Sequence, residues 1–152
     1  MEAAFLGWIA AHRVPWLDGV MWALTTIGRG GAVWLVLAAG TALLDRRRAM
    51  AAWQVGLALL LAVTLSDGVL KPLVHRARPA LDLEAVHLVG RPPTSSSFPS
   101  GHATTAAAGA AMLASVWPPA RSAFWLLAIA IAISRLYLGV HYPSDEIGRA
   151  HV

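Results

Sequence analysis

Apolar residues run through this chain in long stretches that short polar clusters interrupt. Residues 49–66 are eighteen consecutive positions with no charged side chain, and a helix of that length is about 27 Å long, close to the hydrocarbon thickness of a bilayer. Residues 31–44, 103–117 and 122–140 form further apolar runs that turn signals bound. The pattern predicts an all-α integral membrane helical bundle.

The first thirty residues follow a weaker pattern. Residues 3–11 and 14–27 are apolar, but His12-Arg13, Pro15 and Asp18 interrupt them. We expect an interfacial or partly inserted helix pair over residues 1–30, followed by the core of one membrane domain over residues 31–145.

The composition supports a membrane protein and excludes several other classes. The hydrophobic set makes up 57% of the 152 residues, against about 45–50% in soluble domains. With only 13% charged residues and a net charge of +4, both intrinsic disorder and a nucleic-acid partner are poor interpretations. The chain has no cysteine, which excludes disulfides, thiolate metal sites and a cysteine nucleophile. No cleavable signal peptide is evident at its start.

The basic cluster at residues 45–48 predicts the orientation. Short loops rich in Lys and Arg stay on the cytoplasmic side of the membrane, and this loop reads Asp-Arg-Arg-Arg. Alternating crossings then place residues 67–102 and 135–145 together on the opposite face. We therefore expect a multi-pass protein of the cytoplasmic (inner) membrane whose chemistry faces the extracytoplasmic side.

Three polar clusters share that outer face. The first contains Lys71 and Arg78, and the second is Pro-Ser-Gly-His at residues 99–102. The third begins with Ser134-Arg135 and continues to His141 and Asp145. Cations bind phosphate, and the unpaired N–H groups at a helix N-terminus form an anion cradle. The second cluster stands immediately before an apolar helix, so Ser100 and Gly101 would supply such a cradle.

Histidines in these clusters could carry out the chemistry. His141 and Asp145 are four residues apart, which in a helix places them one turn apart on one face. The carboxylate would fix the tautomer of His141 and stabilise the imidazolium that forms when the other ring nitrogen attacks phosphorus. His102, beside the cradle, would protonate the departing oxygen and later activate water. We predict His141 as nucleophile, Asp145 as its orienting group and His102 as acid and base.

These motifs, in this order and spacing, resemble the three-part signature of the type-2 phosphatidic acid phosphatase family over residues 71–145. The resemblance implies a helical core like that of acid phosphatases and haloperoxidases, and a phosphohydrolase that works through a phosphohistidine on His141 without a metal or other cofactor. It also implies lipid phosphates or diphosphates as substrates. By the same resemblance, the phosphate is held by Lys71, Arg78, Ser100, Gly101 and Arg135.

The chain departs from the family after Asp145. Residues 146–152 read EIGRAHV, where small and apolar residues are expected, and they match the translation of a common sequencing adapter. We expect this tail to be non-native read-through and the natural gene to be longer. The core would then lack most of its final helix, and this polypeptide could be inactive although its family assignment is right.

Other interpretations stay open at this point. A soluble acid phosphatase or a haloperoxidase would share the cradle, although the apolar runs argue against both. A non-catalytic membrane protein that binds or transports anions is the alternative from another class. Arg29 and Asp67 are either functional or mark helix ends, and we interpret Arg76 as a loop or headgroup contact. The substrates ranked first are polyprenyl diphosphates and phosphatidic-acid-like lipids, whose tails would stay in the bilayer; the sequence does not indicate an oligomeric state.

Overall fold

Helices account for all regular secondary structure in the computed structural model, which describes residues 1–83, 86 and 94–148. The all-α fold class is therefore confirmed. In chain order the helices are α1 (Glu2–Ala11), α2 (Pro15–Gly28), α3 (Ala32–Leu44), α4 (Ala49–Val63), α5 (Lys71–Val74), α6 (Pro79–Asp82), α7 (Gly101–Val116), α8 (Arg121–Tyr137) and α9 (Pro143–Glu146).

Four of these helices, α3, α4, α7 and α8, pack around a common apolar core. Trp34 of α3 is fully buried there, and it lies directly against Gly109 of α7. A Cβ atom on Gly109 would stand only 2.2 Å from Cγ of Trp34, so glycine is required for this approach. The other fully or nearly fully buried members of the core are Ala38, Val55, Ala106, Ala110, Leu113 and Ile131.

A kink at a 3-10 turn, Arg29–Gly31, separates α2 from α3. Gly30 and Gly31 have φ values of +60° and +76°, in the left-handed region that only glycine enters at low cost. Gly28 packs against Ile131 of α8, where an added Cβ would lie 2.7 Å from the isoleucine side chain. Arg29 and Gly30 are exposed, whereas Gly28 and Gly31 are buried, so the turn packs against the bundle about level with Ile131.

A π-helical segment, Thr64–Leu70, continues α4 without a break and leads into α5. Its wider turns are rare in proteins and are frequent at functional sites. Within it, Asp67 forms a 2.6 Å ion pair with Lys71 at the start of α5. Sequence analysis treated residues 49–66 as a plain helix and did not foresee this segment.

Three helical runs are long and apolar enough to cross a membrane, judged by length and composition over the described residues. They are Pro15–Leu44, Ala52–Asp82 and Pro118–Tyr137. Large apolar side chains such as Val36, Leu60 and Leu126 point outward from them, as expected for surfaces in contact with lipid. The first run joins α2 to α3, whereas the interfacial placement of residues 1–30 stays a prediction.

The sequence interpretation divided the chain after residue 145. The structure places Glu146 as the last residue of α9, and residues 149–152 of the suspected read-through tail lie outside the described residues. The origin of that tail therefore stays a prediction.

Candidate active site

A cavity of about 360 Å³ opens where α2, α7, the π-helical segment and the end of α8 meet. Both predicted histidines, His102 and His141, line this one cavity rather than lying at opposite ends of the bundle. Six of the eight predicted site residues line it: Lys71, Arg78, Gly101, His102, Arg135 and His141.

The contacts of His141 determine its tautomer. Nη1 of Arg78 lies 3.3 Å from Nε2 of His141, and a guanidinium can only donate. Nε2 must therefore be the unprotonated acceptor, and the proton of the neutral ring lies on Nδ1. That atom stands 3.5 Å from Oδ2 of Asp145, too long for a formed hydrogen bond but close enough for the carboxylate to stabilise a positive ring.

Asp145 lies behind His141 rather than on the cavity wall, and it is 1% exposed. Its Oδ2 accepts a hydrogen bond from the hydroxyl of Ser97 and another from the backbone N–H of Tyr142 at 2.8 Å. Burial alone would raise the pKa of Asp145, but His141 and these two donors outweigh burial and lower it. The carboxylate is therefore held ionised beside the imidazole.

Burial also controls the charge of His141. The ring is 2% exposed, and loss of solvation lowers its pKa from 6.5 to about 4, with Asp145 opposing this shift and Arg78 adding to it. In the free protein at neutral pH, His141 is thus uncharged, with the lone pair of Nε2 directed toward Arg78 and the cavity. A nucleophile must be in this state.

Arg76 holds Asp145 from the other side, a role that sequence analysis missed. Its Nη1 lies 2.5 Å from Oδ1 of Asp145 and 2.7 Å from the hydroxyl of Ser144. Its Nη2 pairs with Glu2 of α1 at 3.1 Å, and its guanidinium stacks over the ring of Tyr142. The only signal in the sequence is its position two residues before Arg78, because its partners lie far away along the chain.

Two of the predicted phosphate ligands differ in position: Arg78 borders the cavity and Ser100 does not. Arg78 is anchored by carbonyl oxygens of Ser95 and Val140, each 2.9 Å from the guanidinium, and its side chain still borders the cavity. Ser100 is fully buried outside the cavity lining. Its hydroxyl caps α7 by accepting from the N–H of Ala103, and its own N–H is bonded to the carbonyl of Asp145. Of the two residues predicted to form the anion cradle, Gly101 in the first turn of α7 therefore lines the cavity, and Ser100 does not.

Thr25 of α2 is a second residue that sequence analysis missed. Its carbonyl oxygen lies 3.2 Å from Nε2 of His102, and its hydroxyl accepts from Arg135. The N–H of Arg29, which would bond to this carbonyl in a continuing α-helix, bonds to Thr26 instead. One buried residue thus holds both the predicted acid and a predicted phosphate ligand, and no local pattern marks it.

Glu146, the last residue of α9, has a buried carboxylate. Both of its carboxylate oxygens are buried and lack a hydrogen-bond partner among the described residues, and burial raises its pKa to about 8. An unpaired buried acid destabilises a fold.

As for metals, the described residues contain no cluster of three or more His, Cys, Asp or Glu side chains that could hold a metal ion. Metal independence itself stays a prediction.

Comparisons with known proteins give a consistent answer. The family model described as the PAP2 superfamily matches residues 51–148. The chain is 41% identical to decaprenylphosphoryl-5-phosphoribose phosphatase of Mycolicibacterium smegmatis, over 82% of this chain and 67% of that protein. It is 31% identical to undecaprenyl-diphosphatase of Sulfolobus acidocaldarius, over 90% of this chain and 65% of that protein. The chain thus spans about two thirds of the length of these relatives.

Solved structures agree with the sequence relatives. The crystal structure of Aquifex aeolicus LpxE superposes with a TM-score of 0.80 at 28% identity, covering 95% of this chain and 84% of that one. A transmembrane PAP2-type phosphatidylglycerolphosphate phosphatase from Bacillus subtilis superposes with a TM-score of 0.67 at 28% identity, covering 97% and 76%. With three membrane-length helical runs and these neighbours, the protein is a multi-pass membrane protein. The predicted signature, the helical core and the family match agree, and the chain belongs to the PAP2 superfamily.

Proposed function

We propose that this protein is a membrane phosphatase that hydrolyses lipid phosphomonoesters or diphosphates through a phosphohistidine on His141, without a metal ion. One observation carries the proposal. The unprotonated Nε2 of His141 faces a cavity that also contains His102 and several cations, while the opposite ring nitrogen faces the buried Asp145. The relatives named above as phosphatases of prenyl and glycerol lipids support the same reaction class.

The first step transfers the phosphoryl group to the protein. The lone pair of His141 Nε2 forms a bond to phosphorus as the bond from phosphorus to the leaving oxygen breaks. The leaving oxygen keeps that electron pair and takes a proton from His102. The positive charge that develops on the ring of His141 is stabilised by Asp145, and Lys71, Arg78 and Arg135 stabilise the phosphoryl oxygens.

The second step releases phosphate. His102, now neutral, removes a proton from a water molecule, and the water oxygen attacks phosphorus. The N–P bond breaks, its electron pair returns to Nε2 of His141, and inorganic phosphate leaves. His102 must be protonated in one step and neutral in the other, whereas His141 must begin neutral, so a bell-shaped dependence of rate on pH is expected.

The setting of the site favours lipids as substrates. The cavity lies at the end of apolar helices, where a prenyl or acyl chain could remain in the bilayer while its phosphate enters. From the basic loop at residues 45–48, we place the cavity on the extracytoplasmic side of the cytoplasmic membrane. Polyprenyl diphosphates and phosphatidic-acid-like lipids are the leading candidates.

Trapping of a labelled phosphoenzyme with an alkaline quench tests the proposal. Purified protein is mixed with a ³²P-labelled lipid phosphate, quenched and analysed for acid-labile, base-stable label. The wild type should carry label, His141→Gln should carry none, and a chelator should change nothing. Phosphate release with no label on His141 would refute the covalent mechanism. Phosphate binding without any release, in this chain and in a version extended with a complete final helix, would favour the non-catalytic anion-binding alternative.

A further inference from the structure

Arg29 lines the same cavity, although it lies outside all three motifs. It follows α2 at the start of the 3-10 turn, and it shares the cavity wall with Trp22 and Thr25. These three positions are spaced by three and four residues, which places them on one face of α2. This face therefore carries the aromatic ring of Trp22, then Thr25, whose carbonyl contacts His102, and then the cation of Arg29.

No acidic side chain within the described parts of the chain forms an ion pair with Arg29. Its electrostatic neighbours are instead His102 and Arg135. Its side chain is exposed toward the cavity, within the apolar run Pro15–Leu44, where charged residues are rare and often functional. Among the described residues, four cations line the cavity, Arg29, Lys71, Arg78 and Arg135, and one carboxylate, that of Asp67. The lining therefore has more positive charge than one phosphoryl group neutralises.

The position of Arg29 along the bundle shows which part of a substrate it would meet. Gly28, its neighbour, packs against Ile131, which precedes Arg135 by one helical turn and His141 by ten residues. Arg29 therefore lies deeper in the bundle than the nucleophile. It also follows Thr25, the contact of His102, by one turn. The cation is thus one turn beyond the contact of His102. Because His102 is proposed to protonate the leaving oxygen, a group bound by Arg29 would belong to the departing part of the substrate.

We propose that Arg29 binds a second phosphate group, the one that stays on the lipid when the terminal phosphate is removed. This inference rests on the proposed function and narrows its substrate class to lipids with two phosphates. In a lipid diphosphate, the bond from the terminal phosphorus to the bridging oxygen breaks. The bridging oxygen keeps the electron pair and takes the proton of His102, and the lipid monophosphate departs while paired with Arg29.

The test compares two substrates with the same chain, farnesyl diphosphate and farnesyl monophosphate, in detergent micelles. A charge-assisted contact to the second phosphate predicts that Arg29→Gln lowers kcat/KM for the diphosphate by about tenfold to a hundredfold. It should change kcat/KM for the monophosphate by less than about threefold. Arg29→Lys should restore part of the loss. Arg46→Gln, which removes the same charge at the exposed opposite end of the bundle, should leave both substrates unchanged.

A binding measurement decides the matter independently of turnover. Inorganic pyrophosphate should stabilise the wild type against thermal unfolding more than inorganic phosphate does, and Arg29→Gln should remove that difference. An equal loss for both farnesyl substrates, or an unchanged preference for pyrophosphate in Arg29→Gln, would overturn the role of Arg29. If neither this chain nor the version extended with a complete final helix hydrolyses either lipid, the proposed function fails, and the pyrophosphate measurement still decides whether Arg29 binds a second phosphate.

Discussion

Replacing Asp145 by Asn probes how the nucleophile is supported, because it changes charge and leaves shape almost intact. Oδ1 of Asp145 accepts a hydrogen bond from Arg76, and Oδ2 accepts hydrogen bonds from Ser97 and from the N–H of Tyr142. An amide has only one acceptor oxygen, so one of these donors must lose its partner. The variant also loses the negative charge that faces Nδ1 of His141 at 3.5 Å.

The expected loss can be worked from that distance. Two unit charges 3.5 Å apart interact by about 5 kcal/mol at an effective dielectric constant of about 20. Both side chains are buried, so solvent screens the pair little. The amide dipole retains part of the interaction, so we expect kcat to fall by about 10²- to 10³-fold in Asp145→Asn. KM should change by much less, because Asp145 does not line the cavity.

Steady-state phosphate release from a lipid phosphate in micelles provides the assay, with thermal unfolding as a check that the variant is folded. Asp18→Asn is a matched control. Asp18 accepts a hydrogen bond of 2.7 Å from the hydroxyl of Tyr137, so this change also removes a carboxylate with a tyrosine contact, but outside the cavity lining. A loss of kcat below about fivefold in folded Asp145→Asn would refute the assigned role of the carboxylate.

Three stability predictions concern the rest of the molecule. Burial lowers the pKa of His141 from 6.5 to about 4, so between these pH values the unfolded chain takes up a proton that the folded chain does not. Thermal stability should therefore fall as the pH decreases from 6.5 through 4. The fall should be smaller in His141→Gln. Because the pKa of Glu146 is raised to about 8, Glu146→Val should raise the melting temperature, and by more at pH 8.5 than at pH 5. Gly109→Ala should cost about 3 kcal/mol or more of unfolding free energy, because its Cβ would overlap Trp34. Gly40→Ala, in an open part of α3, should be neutral or stabilising in chemical denaturation.

The sequence was sufficient to predict the fold class and the convergence of the three motifs. The first and third motifs lie at the ends of apolar runs long enough to cross a bilayer, the second begins the apolar helix α7, and alternating helix directions bring these ends to one face. Lys71, His102 and His141 therefore had to share a side of the membrane, and the structure places them on one cavity. That they meet within one cavity of this size depends on packing, which the sequence alone did not specify.

Arg76 and Thr25 could not be predicted, because their roles depend on residues distant along the chain. Arg76 meets Asp145, 69 positions away, and Thr25 meets His102, 77 positions away. Neither residue belongs to a local pattern of the kind that identifies a cap or an i,i+4 pair. Ser100 shows a similar limit. Its place before a helix predicted a cradle, but the same place also suits an N-cap, and in the structure its hydroxyl and N–H are used for capping and for Asp145.

The π-helical segment at Thr64–Leu70 makes this protein sensitive to chain length in one place. Such a segment is equivalent to a single residue inserted into an α-helix, and each residue of an α-helix turns the chain by about 100°. Removing one position, such as Gly68, whose surroundings are open, would return the segment to ordinary α-helical winding. The same deletion would rotate Lys71 relative to α4 and away from its present orientation. Point substitutions at this segment and a one-residue deletion should therefore have very different consequences, although both alter a single codon.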